Sequence, residues 1–291
     1  MKQDQLDSII KLLDDPDEIV YRALENELLL QGTHVVKSLE DAWESSANPL
    51  VSSRIEYITH RIQHADCVAD LSAWVESGAE DLFEASYIIS RFQYPDIDRI
   101  AFISQLRQIS DDVANELVAG LSPLETVRVL NHIIFQEHQF DRAEVQGASH
   151  LSFYMSNVLS QKKGNLFTLC LLYIAIAQSV NVPMLAVSLP ENLAAAYLDV
   201  SLEGALNKPS KSLFYVNSFS KGAVFGDNEI KDFLQRADYT IKDEYFEPIS
   251  NRRFVCLFLE TMLLFYQYEK NEDKCHDLAQ LIAIVKVGSH A

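Results

Sequence analysis

The chain has 291 residues, 48% of them apolar and 10% aromatic, so it can bury at least one core. It is too long for one typical domain of about 100–150 residues and short for three. Only 9 Gly and 8 Pro occur, which excludes fibrous and low-complexity sequence. With 42 acidic residues against 24 basic, the formal net charge of −18 argues against nucleic acid and anionic membrane surfaces, both of which need Lys and Arg.

The acidity is uneven. Residues 1–121 carry a net charge of −14 and the remaining 170 carry −4, which suggests a boundary near Leu121. There Ser122-Pro123-Leu124-Glu125 reads as a helix start, with Ser as N-cap, Pro at the first helical position and Glu three residues after the cap. The expected division is 1–121, a helical domain; 122–248, a core; and 249–291, a helical extension packed on that core.

In chain order, Asp15-Pro16-Asp17-Glu18 caps a helix with Ile19, Ala23, Leu24 and Leu28 as its apolar stripe. Thr33 opens a second with Val36, Leu39 and Trp43 inward, and Asn48-Pro49 a third with Ile55, Ile58 and Ile62. Further helices are expected at Cys67–Glu76, Glu80–Phe92 and Asp96–Val118. Pro16 and Pro49 both stand at helix starts one repeat length apart, and helix pairs at this period resemble degenerate HEAT-type repeats of an α-solenoid. An irregular helical bundle is the alternative. Beyond Leu121, helices are expected at Leu151–Leu159 and Leu166–Val180, the latter apolar almost all round and therefore central. Strands follow at Met184–Leu189, Leu193–Val200 and Leu213–Asn217. Next come a turn at Lys221-Gly222, a helix from Asp227 and helices over 250–286. The fold class is mostly α with a small antiparallel sheet, α+β.

Cys67, Cys170, Cys256 and Cys275 are widely spaced, so neither a disulfide framework nor a zinc ribbon is read from them. The N-terminal MKQDQLDSII lacks a signal-peptide profile. The longest nearly continuous apolar stretch, Leu166–Ala177, has 12 residues, short of the roughly 20 that span a bilayer. The expectation is a cytoplasmic protein, with no cofactor.

Four pieces of the second part resemble the transglutaminase-like superfamily, in its bacterial SirB-type branch. They are Asn131–Phe140; Val158-Leu159 with Lys163-Gly164-Asn165, leading into Leu169–Ala177 and Val182-Pro183; Leu189-Pro190-Glu191-Asn192-Leu193; and Tyr215–Gly222. The resemblance implies a papain-like core spanning about Ser122 to Val285. Active members place a Cys at the start of the buried helix, a His on one strand and an Asp on the next. A helix N-terminus and an imidazolium lower the thiol pKa there, and the carboxylate orients the imidazole. Carried onto this chain, those positions read Leu166, Asn192 and Asn217. Leucine cannot attack and asparagine cannot exchange protons near neutral pH.

The implied reading is a non-catalytic interaction or regulatory protein. Its partner is a protein or peptide, with a basic one favoured by charge. A cysteine hydrolase or acyltransferase using Cys170, one turn beyond Leu166, is the competing class. An anion or small-ligand site at Lys162-Lys163-Gly164-Asn165, ahead of the buried helix, is a third. His60 and His64, at i and i+4 with Asp66 and Cys67 nearby, have metal-ligand spacing, but Arg61 replaces the Glu of a zinc hydrolase motif, and a solvated helix face is the plainer reading. His132 and His138 fall on different helix faces.

Overall fold

The computed structural model describes residues 3–143, 150–199 and 211–287. The chain divides into two compact units, Met1–Ser72 and Ala73–Ala291. No helix among the described residues is long and apolar enough to cross a membrane.

The first unit contains α1 (Gln3–Lys11), α2 (Glu18–Gln31), α3 (Val36–Ser45) and most of α4 (Pro49–Glu76), which runs through the division. Asp17 caps α2 by accepting from the Ile19 N–H at 2.8 Å, and Gly32, at φ 63°, ends it in a conformation that favours glycine. Leu13, Leu28, Leu39, Ile55, Ile58 and Ile62 form the core. Arg54 reaches back to the carbonyls of Leu13 and Asp15 at 2.8 and 2.7 Å, closing the turn after α1 while its guanidinium lies 4.1 Å from the Tyr21 ring centroid.

Three expectations fail in this unit. Ile19 is 80% exposed, because the buried stripe of α2 runs through Tyr21, Glu25 and Leu28; at about 100° per residue Ile19 lies roughly 200° round the helix from Tyr21. Trp43 is 44% exposed, its indole N–H donating to Glu56 Oε1 at 2.8 Å. Cys67–Glu76 is no separate helix. Gln63-His64-Ala65-Asp66 contains no helix breaker, so α4 continues for 28 residues. The interval after Pro49 is therefore one long helix, whereas the interval from Pro16 holds the pair α2 and α3.

In the second unit, α5 (Leu82–Arg91), α6 (Arg99–Glu116) and α7 (Pro123–Asn131) lead through a π-helical turn, His132–Glu137, to β1 (Asp141–Arg142). After a 3-10 turn at His150–Phe153 come α8 (Met155–Gln161), β2 (Lys163–Gly164) and α9 (Leu166–Ser179). The sheet follows as β3 (Met184–Leu189), β4 (Asn192–Leu198), β5 (Ser212–Asn217) and β6 (Ala223–Phe225), all antiparallel in that order. Helices α10 (Asp227–Arg236), α11 (Asn251–Tyr268) and α12 (Glu272–Lys286) complete it. The expected capping box at Ser122 is present in full. Tyr154 interrupts the expected helix Leu151–Leu159, and Val200 lies outside the described residues.

The compact units part at Ser72 and not at Leu121. The physical reason is burial: α5 hides Leu82, Ala85, Ser86, Tyr87, Ile88, Ile89 and Ser90 and packs against α8 and α9, while α6 also packs against α9. Ser90 Oγ accepts from the Ser156 N–H, and the Asn157 amide donates to the Tyr94 hydroxyl at 2.9 Å. These helices belong with the core despite their acidic composition.

Helix α9 is that core's axis. Every residue from Thr168 to Ala177 is buried, as an all-apolar helix requires. It packs on β3 and β4, and the other face of the sheet is covered by α10, where Val187, Leu189, Ala194, Ala196, Leu198 and Tyr215 enclose Ile230 and Leu234.

Candidate functional site

Helix α9 starts abruptly because Asn165 caps it. The Asn165 Oδ1 accepts from the Thr168 N–H at 2.9 Å and from the Thr168 hydroxyl at 3.0 Å, and that hydroxyl also lies 2.7 Å from the Ser152 carbonyl. Leu166, where the resemblance implies a nucleophile, is the first helical residue and is half-buried. It offers no atom that could attack or be titrated.

Asn192 opens β4 opposite Leu189, and Asn217 closes β5 opposite Ala223. Since Ala195 pairs with Val216, the two asparagines lie at the same end of the sheet. Strand alternation nevertheless puts them on the face of Ala194, Ala196 and Tyr215, the α10 side, whereas Leu193, Ala195, Val216 and Ser218 alternate onto the α9 side. Both amide oxygens bond locally: Asn192 Oδ1 accepts from the Leu193 N–H at 2.8 Å, and Asn217 Oδ1 caps the turn Ser218–Ser220 by accepting from the Ser220 N–H at 3.1 Å. Of the three positions to which the resemblance points, the two asparagines therefore lie on the sheet face away from α9.

What does face α9 there is Ser218. Cys170 is fully buried, and burial pushes its thiol pKa up to about 12, with the neighbouring Ser218 hydroxyl pulling it partway back. The thiol is thus kept protonated, the reverse of an activated nucleophile.

The loop ahead of α9 has also committed its cations. The Lys162 ammonium sits 4.4 Å from the Phe140 ring centroid, and partial burial lowers its pKa. Lys163 pairs with Asp141 at 3.6 Å, and Lys221 joins the same carboxylate at 3.1 Å. The Lys221 bond and the Arg142 N–H hold the Asp141 carboxyl below its ordinary range. The Asn165 side chain occupies the helix N-terminus itself.

Elsewhere, His60 and His64 stack with ring centroids 6.3 Å apart, and among the described residues no group of three metal-ligating side chains exists. His138 bonds Asp112 at 2.8 Å, while His132 turns to Gln136, so they do not cooperate.

A buried polar junction links three of the four resemblance-bearing pieces. The Tyr173 hydroxyl donates to Asn131 Oδ1 at 2.9 Å, and Asn131 Nδ2 donates to the Gly222 carbonyl at 2.9 Å. Tyr173 is on α9, Asn131 ends α7, and Gly222 turns β5 into β6. A Cβ on Gly222 would lie 1.8 Å from Asn131 Oδ1, and its φ is 76°. Sequence reasoning quoted these residues as motif but missed their role; a polar residue ending one amphipathic helix and a Gly in a remote turn carry no local signal of their contact.

A family model described as the transglutaminase-like superfamily matches residues 100–260. The chain matches no curated protein and no solved structure. The matched span begins within α6 and ends within α11, enclosing α9, the sheet and the Asn131 junction. On that match, which covers more than half of its length, the chain belongs to the transglutaminase-like superfamily.

Proposed function

We propose that this protein is a non-catalytic interaction or regulatory module that keeps the superfamily core as a scaffold. One observation carries the reading: where a nucleophile would stand at the start of α9 there is Leu166, and the cysteine on that helix is sealed in the core with its thiol held protonated. The chemistry of Asn192 and Asn217 supports it, since each amide oxygen accepts from neighbouring backbone and neither side chain can exchange a proton near neutral pH. Membership of the SirB-type branch rests on the four sequence pieces and the degenerate positions. A HEAT-type likeness rests on the helix pair α2 and α3 between Pro16 and Pro49. The partner is a basic protein or peptide met in the cytoplasm, for residues 1–72 carry a net charge of −8 and residues 73–121 a further −6.

The test is turnover. Purified chain and its Cys170→Ser variant are compared for amine incorporation into a glutamine-containing protein and for peptide hydrolysis. Equal, background rates are expected; turnover lost only in Cys170→Ser would establish the hydrolase or acyltransferase reading instead.

A further inference from the structure

A cleft of the second unit lies far along α9 from Leu166, toward that helix's C-terminal end. It has a volume of about 540 Å³, within the range of about 300–1,000 Å³ typical of small-molecule sites. Its charged lining consists of Glu80, Asp81, Arg107 and Asp111, and its polar lining includes Ser110 and Ser179.

Two features define what it accepts. First, no described residue forms a hydrogen bond or ion pair with the side chains of Glu80, Arg107 or Asp111. Arg107 and Asp111 stand at i and i+4 on α6 without pairing, the less favourable order of charges along a helix. Asp81 caps α5 through Oδ1 alone, accepting from the Phe83 and Glu84 N–H groups at 2.9 and 3.0 Å. Second, the hydroxyl pair has no spare proton. Ser110 and Ser179 lie 2.7 Å apart, Ser110 also reaches the Leu106 carbonyl at 3.2 Å, and Ser179 reaches the Ile176 carbonyl at 2.7 Å. Two hydroxyl protons serve three acceptor directions, so toward the cleft this pair presents lone pairs only. The Gln178 amide is consumed too, donating to the Met184 carbonyl and Asn251 Oδ1 and accepting from Asn251 Nδ2.

The lining therefore offers acceptors and three carboxylates against one guanidinium. We infer that the cleft binds a compact organic cation that also carries a carboxylate: a basic amino acid, free or as the C-terminal residue of a peptide. The ammonium is taken by Asp111, Glu80 and the serine oxygens, and the carboxylate by Arg107, whose fork matches it. The inference is independent of the degenerate triad positions.

Calorimetric titration of the full chain at low salt tests it, using L-lysine, 1,5-diaminopentane and N-acetyl-lysine. Saturable binding of L-lysine is expected. Arg107→Ala should weaken it at least tenfold, about 1.4 kcal/mol, while leaving the diamine, which lacks the carboxylate, unchanged. Asp111→Asn should weaken both, with Glu80→Gln as a second variant should Asp111→Asn lower the thermal midpoint. The acetyl group being on the α-nitrogen, N-acetyl-lysine binding like lysine identifies a peptide C-terminus as the source, and binding of lysine without binding of N-acetyl-lysine identifies the free amino acid. Absence of saturable binding by all three compounds overturns the inference. So does binding that Arg107→Ala, Asp111→Asn and Glu80→Gln all leave intact.

Discussion

Replacing Asn131 by alanine severs the junction between α7, α9 and the β5–β6 turn. The Tyr173 hydroxyl and the Gly222 carbonyl, both in buried residues, then lose their partners. At about 1–3 kcal/mol for each buried group left unpaired, the expected loss is about 2–6 kcal/mol. Gly222→Ala attacks the same junction from the other side. Its Cβ would fall 1.8 Å from Asn131 Oδ1, so Asn131 must withdraw and both hydrogen bonds go with it. Alanine at φ 76° adds about 1–2 kcal/mol of backbone strain, for a total of about 3–8 kcal/mol. In the Asn131→Ala background the clash is gone and only the strain remains, so the second substitution should cost about 1–2 kcal/mol. Urea unfolding followed by Trp74 fluorescence, in a Trp43→Phe background so that the second unit alone reports, measures all four corners of the cycle. Losses that add to within about 0.5 kcal/mol would refute the shared junction.

Three further outcomes follow from local chemistry. Gly164→Ala places a Cβ 3.0 Å from Leu169 side-chain carbons and 3.3 Å from Val158; it should cost about 1–2 kcal/mol in the same urea assay, and a neutral result would mean that the start of α9 is loosely packed. Asp141, with its folded pKa depressed chiefly by Lys221, should contribute about 0.5 kcal/mol, the size of an exposed pair. That contribution is present above its unfolded pKa near 3.8 and lost as pH falls through the lower folded value. Asp141→Asn should flatten this part of the stability–pH curve, and an unchanged curve would show the pairs to be inconsequential. Tyr154 and Tyr173 are held neutral by burial and Tyr215 is pushed up to about 12; their stabilisation is complete below about pH 10 and declines as pH rises beyond it. Phenolate absorbance should therefore show these tyrosines ionising only as the chain unfolds, and ionisation of all 12 tyrosines near pH 10 in folded protein would contradict their burial.

Elements with a strong local signature were legible from the residues. The unbroken apolarity of Leu166–Ala177 announced a central helix, the capping box at Ser122 marked the start of α7, and β3 begins and ends where alternation placed it. Charge misled where it stood in for packing. Residues 73–121 are acidic on their exposed faces, yet the inner face of α5 is buried against α8 and α9, so a composition shift at Leu121 was not a boundary of compactness. The continuity of α4 was missed because a helix is ended by caps and breakers, and the stretch around His64 has neither. At the site, the motif positions Asn192 and Asn217 fall at one end of the sheet. They could not give its face, since a single-residue step in a strand exchanges the α9 side for the α10 side. Ser218, not Asn217, therefore meets Cys170. The Arg107 cleft was invisible for a related reason: Glu80, Arg107 and Ser179 come together only through the packing of three helix regions.

The central claim is that this superfamily core holds no activated thiol, and alkylation of the folded chain tests it most directly. With its pKa pushed up from 9.0 to about 12, Cys170 would have about one thiolate in ten thousand at about pH 8, against about one in ten for the unperturbed thiol, before the cost of opening the core is added. Iodoacetamide, with each site read by peptide mass, should modify the partly exposed Cys275 first and leave Cys170 unmodified until denaturant unfolds the protein. Modification of Cys170 in the native state, at a rate equal to or above that of Cys275, would contradict the account.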